Sequence, residues 1–291
     1  VNELLQRKPS LRAWLLLAPS FLWLLVFFII PLGIIVVYSF LERDLYGGVV
    51  WRWTLENYRR VLDPLYFKTF LYSLWIAFLT SFFSLLFGYP LAYYIATRPE
   101  KTRNALVLAL MIPFWTNFLV RTYAWLTLLR TNTGLINVWL QAWGLIDEPL
   151  PLFGNTFAIT LGLVYGWMPD MILPIYAALE QLDRSLLEAA EDLYASGWQV
   201  FRRVIWPLSL PGVVAGTMLV FIPSLGAFVT PAILGGGKRL MIGNVITNQF
   251  LGAHDWPFGS ALSVLMMAVM LLATLIYFRT SGEEARRGGL G

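Results

Sequence analysis

The sequence predicts an all-α integral membrane protein with six spans, and three observations carry that reading. Hydrophobic residues make up 58% of the chain and charged ones only 13%, far from the balance of a soluble domain. Apolar stretches long enough to cross a ~30 Å hydrocarbon core recur along it. The remaining charges gather between those stretches, where each avoids a cost of roughly 2.5–3.5 kcal/mol for entering hydrocarbon.

Composition excludes several chemistries. The chain has no Cys and a single His, His254, so disulfides, thiolate metals and His-rich metal sites are out of reach, and no metal site is expected. No Walker-type phosphate loop occurs, so this chain does not hydrolyse ATP, and no Ser/His/Asp arrangement is credible. A net charge of +4 suits contact with membrane lipid and not nucleic acid.

The first span is read at 13–41, after the basic flank Arg7, Lys8 and Arg12. It is too long for a cleaved signal peptide, and the flank places the N-terminus in the cytoplasm. A mixed-charge connection with Trp51, Trp53 and Tyr58 follows, suited to a membrane surface or an outer loop. The second span is 69–97, then Arg98, Lys101 and Arg103 crowd a short cytoplasmic turn. The third is 104–129, interrupted by Arg121, which reads either as a snorkelling side chain or as part of a pathway. A turn-rich outer stretch holds one short helix near 135–143. The fourth span, 156–179, contains Asp170 between Pro169 and Pro174. An acid there is a functional candidate, or it pairs with a neighbour such as Arg121.

Residues 204–237 carry no charge, and as one helix they would reach about 50 Å, so the run must break. The fifth span is set at 208–228, with Pro207 and Pro211 at its start and Pro223 as a kink. An outer connection and the sixth span, 256–278, follow, then a flexible tail at 280–291. Six spans put both termini on one side. Gly162/Gly166 and Gly212/Gly216 have the spacing that lets helices approach closely.

The segment 180–207 is too charged for hydrocarbon yet patterned. Leu182, Leu186, Ala189, Ala190 and Leu193 recur at spacings of three and four, one helical face. Ser185 and Glu188 have capping-box spacing. Two short helices on the water side, presenting a carboxylate to a partner, fit this pattern.

Glu188-Ala189-Ala190 with Pro207 resembles the EAA loop of permease subunits in binding-protein-dependent ABC importers. That loop reads Glu-Ala-Ala, three residues, Gly, nine residues, Ile, any residue, Leu, Pro. Val204 stands at the Ile position, Trp206 replaces the Leu and Tyr194 replaces the Gly. Gly197 lies three residues on as an alternative source of the turn. The stretches 115–125, 174–211, 221–236 and 244–259 further resemble the spermidine/putrescine branch.

The resemblance implies a type I ABC importer permease fold, with a cytoplasmic coupling helix between spans 4 and 5, in a bacterial inner membrane. Its implied partners are two ATP-binding subunits carrying ATP and Mg, a second related permease, and a periplasmic or lipid-anchored binding protein. This chain itself needs no cofactor. ATPase coupling would fall to Glu188, Ala189, Ala190, Asp192, Gly197 and Pro207. A polyamine path needs carboxylates and aromatic faces, for which Asp170, Trp115, Tyr165, Trp167, Phe221, Phe228 and Thr230 are candidates. Relatives often carry acids where this chain has Ala227 and Ala232, which leaves open a non-polyamine solute such as an opine or a phosphonate. A gradient-driven carrier is the reading from another class.

Overall fold

The computed structural model describes residues 9–44 and 47–288; Arg7 and Lys8 of the basic flank lie outside them. Helix α1 covers Pro9–Leu24 and continues through a π-turn, Leu25–Ile29, into Ile30–Tyr38. Strands β1 (Leu41–Arg43) and β2 (Val49–Trp53) pair antiparallel. Helix α2 is Glu56–Val61 and α3 is Pro64–Ala96. Helix α4 (Glu100–Met111) ends in a 3-10 turn, Ile112–Trp115, before α5 (Phe118–Leu129), α6 (Leu135–Ala142) and α7 (Thr156–Glu180). Then come α8 (Arg184–Asp192) and α9, unbroken over Gly197–Leu225. Helices α10 (Val229–Leu234), α11 (Ile242–Leu251) and α12 (Trp256–Gly288) complete the chain.

Five of these are long and apolar enough to cross a membrane: the 17–38 part of α1, then α3, α7, α9 and the 256–275 part of α12. The bent pair α4–α5 makes a sixth if taken as one span. The sequence reading of 104–129 as one helix is corrected here, because the two halves meet at 85°. Pro113 sits in the 3-10 turn, Thr116 is extended (ψ 153°), and the Asn117 side chain caps α5 by accepting from Leu119 N at 2.8 Å. A proline followed by a capped restart is a built break, not bending of a continuous helix.

The fifth long helix starts at Gly197, not at 208. The expected second short helix is therefore its first turns, and Pro207 lies inside it. Proline lacks a donor and clashes with the carbonyl four residues back. The π-turn Phe201–Ile205 widens the coil two residues before Pro207 and absorbs that clash. The π-turn in α1 stands in the same relation to Pro31. The expected tail is helical over 280–288 as the end of α12, and 289–291 lie outside the described residues.

The chain divides into two compact units, residues 1–63 with 246–268 and residues 64–245 with 269–291. In the first, the β-hairpin that hydropathy did not foresee is held from below by Asn57, whose Nδ2 donates to Ser39 O and Leu41 O. Asp255, 1% exposed, receives Arg60 at 2.9 Å and Arg43 at 3.8 Å. Its other oxygen accepts from Phe258 N, and the Arg60 guanidinium lies 4.0 Å above the Phe258 ring.

In the second unit, α3, α7 and α9 pack against one another around Tyr89, Ile95, Met171, Ile172, Ile175 and Val213. Glycines let them close. A methyl at Gly212 would stand 2.5 Å from Pro174 O and 2.6 Å from Ala178 Cβ, and one at Gly216 would stand 2.9 Å from Met171 O. The Gly212/Gly216 spacing thus serves contact between helices of this chain. Tyr89 and Ser209 share a hydrogen bond of 2.9 Å across α3 and α9.

Candidate functional site

Two places in the second unit hold several of the candidate residues, and α9 joins them. The first is α8 and its surroundings. Its N-terminus is capped by Asp183, which accepts from Ser185 N at 2.9 Å. That bond and the Ser185 hydroxyl hold the Asp183 carboxyl below its usual value. Ser185 is therefore not the cap; the capping box of this region is Ser196 with Gln199, opening α9.

The five apolar residues placed on one face do not share it. Leu182, Leu187 and Ala190 pack towards the helical core. Leu186, Ala189 and Leu193 point outward, Leu193 being 81% exposed. With exposed Tyr194 and Trp198 they form an apolar patch, and exposed Glu188 and Asp192 lie on the same helix. Contiguous uncovered apolar surface of this kind marks interaction sites.

The turn after α8 also departs from expectation. Tyr194 itself takes the left-handed conformation, φ +56°, while no positive φ occurs at Gly197. Ala195 N donates to Ala190 O at 3.1 Å, the six-to-one bond of a Schellman ending in which the left-handed position usually holds glycine.

Behind α8 is a cleft of ≈ 330 Å³ lined by Tyr93, Thr97, Arg103, Glu180, Leu187 and Glu188, among others. There Arg103 Nη2 meets Glu180 Oε1 at 2.9 Å. Glu180 ends α7, where a carboxylate opposes the helix dipole, and Arg103 compensates. The pair ties α4 to the C-terminal end of α7.

The second place is a cavity of ≈ 250 Å³ between α5, α7, α9 and α10, lined by Phe118, Leu163, Trp167, Pro223, Gly226, Ala227, Phe228, Val229 and Thr230. Trp167, Phe228 and Thr230 thus come together. Trp167 Nε1 and Thr230 Oγ1 are buried without a hydrogen-bond partner among the described residues. Asn244 donates to Phe228 O and fixes the cavity's rim, a role no sequence pattern announced. Asp170 is half-buried on the stripe of α7 that carries Leu163 and Trp167, one turn along, and forms no ion pair among the described residues.

Tyr165, Trp115 and Phe221 do not line this cavity. Trp115 is 71% exposed at the α4–α5 break. Tyr165 stacks on Phe114 at 5.4 Å beside Trp125, and Arg121 lies over this cluster, 4.7 Å from the Phe114 ring and 5.9 Å from the Tyr165 ring. Arg121 neither snorkels nor pairs with Asp170; it gives the aromatic cluster its cation. Its Nε and Nη1 are buried without a hydrogen-bond acceptor.

The sequence model described as "binding-protein-dependent transport system inner membrane component" matches residues 85–281. The spermidine/putrescine transport system permease protein PotB of Salmonella typhimurium (strain SL1344) is 46% identical over 259 residues, covering 89% of this chain and 90% of that protein. PotB of Escherichia coli (strain K12) is 45% identical, covering 89% and 94%. Among solved structures, a chain of the bacterial alginate ABC transporter in complex with alginate pentasaccharide-bound periplasmic protein superposes with a TM-score of 0.69 over 96% of each chain. At 19% identity that likeness is one of fold, the type I importer permease.

Proposed function

The chain belongs to the family of binding-protein-dependent transport system inner membrane components, and on that premise we propose that it is a polyamine permease coupled to its ATPase through α8. It pairs with a second permease and two ATP-binding subunits and receives solute from a binding protein, with both termini in the cytoplasm. The observation that carries this is the continuity of α9. It begins at Gly197, beside the uncovered patch of α8, and ends at Leu225, where Pro223 and Gly226 line the cavity. Over that length, roughly 43 Å at 1.5 Å per residue, a packed helix transmits displacement as a rigid body.

In this reading Leu186, Ala189, Leu193, Tyr194 and Trp198 seat on the ATPase, and Glu188 and Asp192 provide its polar contacts. Closure of the ATPase pair moves α8, the Arg103–Glu180 pair carries the motion to α4 and α7, and α9 carries it to the cavity. The solute path uses Trp167 and Phe228 as faces for an ammonium and its aliphatic stem, Thr230 Oγ1 as a hydrogen-bond acceptor, and Asp170 as countercharge. The likeness to PotB over nearly the whole chain supports a polyamine solute. Leu193→Asp, which buries a charge if the patch is an interface, is expected to strip the ATPase subunits from the purified permease. Retention of those subunits at the wild-type level refutes the docking assignment.

A second reading rests on Arg121. A guanidinium with two buried nitrogens lacking acceptors, 5.9 Å from the ring of Phe118 on the cavity wall, suits a carboxylate- or phosphonate-bearing solute. Inhibition of uptake by opines or phosphonates, with none by putrescine, selects it.

A further inference from the structure

We propose that a cleft at the end of α3 remote from α8 binds the phosphate headgroup of an anionic phospholipid. The cleft, ≈ 370 Å³, is lined by Leu65, Lys68, Thr69, Tyr72, Lys238, Arg239 and their neighbours. Three cations line it and no acid does. None of the three is in an ion pair among the described residues. Among the described residues the Tyr72 ring lies 6.0 Å from the Arg239 guanidinium.

The chain builds this arrangement at some cost. Gly236 and Gly237 are both left-handed, φ +59° and +72°, a pair of conformations side chains resist. The turn they make is closed by Lys238 N donating to Gly235 O, and it brings Lys238 and Arg239 against the start of α3. Lys68 stands one turn inside that helix, near the positive end of its dipole, where a cation is disfavoured. Asp63 precedes the helix but does not line the cleft, and three like charges lining one cleft are a configuration that a bound anion relieves. If α8 faces the cytoplasm, these residues also lie on the side where membrane proteins carry fewer Lys and Arg.

The anion's class follows from position. Pro64 opens a helix long and apolar enough to cross a membrane; at 33 residues it outruns a ~30 Å hydrocarbon core, which sets its first turns among the headgroups. Exposed Leu65 and Leu240 flank the cations, giving acyl chains an apolar surface directly beside a phosphate site. A free phosphate has no use for those leucines. Tyr72, with an apolar ring and a polar tip, fits the same boundary.

The test uses the full-length permease in mild detergent, titrated with phosphatidylglycerol, phosphatidylethanolamine or inorganic phosphate and followed by native mass spectrometry. The wild type is expected to hold phosphatidylglycerol at least about tenfold more tightly than phosphatidylethanolamine, since each nearby Lys or Arg contributes about fivefold. Arg239→Gln should lose about fivefold, and Lys68→Gln/Lys238→Gln/Arg239→Gln together on the order of 100-fold. Lys68→Arg/Lys238→Arg, which keeps the charges, should bind as the wild type does and separates charge from folding. Three results overturn the proposal. One is wild-type phosphatidylglycerol binding in the triple Gln variant. Another is inorganic phosphate displacing the lipid at equal concentration. The third is unchanged lipid binding with lost stimulation of the ATPase by the binding protein, which assigns the cations to an acidic protein face.

Discussion

Tyr194→Gly isolates the backbone cost of the turn that closes α8. Tyr194 holds φ +56° with its side chain 97% exposed, so the phenol contributes almost no packing to the isolated permease. A left-handed L-residue costs roughly 1–2 kcal/mol, while glycine returns roughly 0.5–1 kcal/mol of that through its greater freedom when unfolded. The net gain is about 0.5–1 kcal/mol, which corresponds to two- to fivefold in an opening equilibrium. Hydrogen exchange of residues 190–197 in the permease alone reads this directly, because Ala195 N–H bonds to Ala190 O only while the turn is closed. Tyr194→Gly should slow exchange there about two- to fivefold. Tyr194→Ala keeps the Cβ and should leave the rate unchanged. If alanine protects as well as glycine, the backbone argument is wrong and the ring was responsible.

Four further outcomes follow from the same geometry. Gly212→Ala forces a methyl onto Pro174 O and Ala178 and should cost about 1–3 kcal/mol, visible as a lower unfolding temperature in detergent. Asp255→Ala removes the acceptor of the part-exposed Arg60 and of Phe258 N and should cost about 1–3 kcal/mol by the same measurement, whereas Arg43→Ala, at 3.8 Å from the carboxylate, should cost less. Glu188→Lys should permit ATP hydrolysis while abolishing uptake, with unchanged membrane insertion; normal uptake at wild-type expression sinks that assignment. Because the Asp183 carboxyl is held below its usual value by Ser185, the cap on α8 is in place above the ordinary carboxylate range and is lost as pH falls through the lowered pKa. Exchange at Ser185 N–H should rise over that acidic window, and Asp183→Asn should remove the pH dependence.

Hydropathy made the long helices legible because a span must bury a continuous apolar length, and charge placed the connections between them. What it could not show is where a helix restarts. The break between α4 and α5 depends on Pro113 followed by Asn117 turning its side chain back to Leu119 N, and the charge pattern of 104–129 looks the same with or without it. The early start of α9 escaped for the converse reason: Pro207 reads as a boundary unless a π-turn upstream removes its clash. The β-hairpin is too short and too exposed to leave an alternating pattern. At the candidate site, spacing identified α8 but divided its faces wrongly, since Leu186 and Leu187 are equally apolar and only the core decides which is covered. Trp167, Phe228 and Thr230 were legible as polar or aromatic residues in apolar runs. The capture of Arg121 by Phe114 and Tyr165 is a tertiary contact that no local signal encodes.

Reconstitution into liposomes with the partner permease, ATPase and binding protein, followed by uptake of labelled putrescine and spermidine, tests the central claim most directly. Uptake should require ATP and the binding protein together, and Trp167→Ala should reduce it while leaving basal ATP hydrolysis intact. Uptake driven by an ion gradient without ATP, or ATP-dependent uptake of an opine or phosphonate with no uptake of either polyamine, would contradict the account.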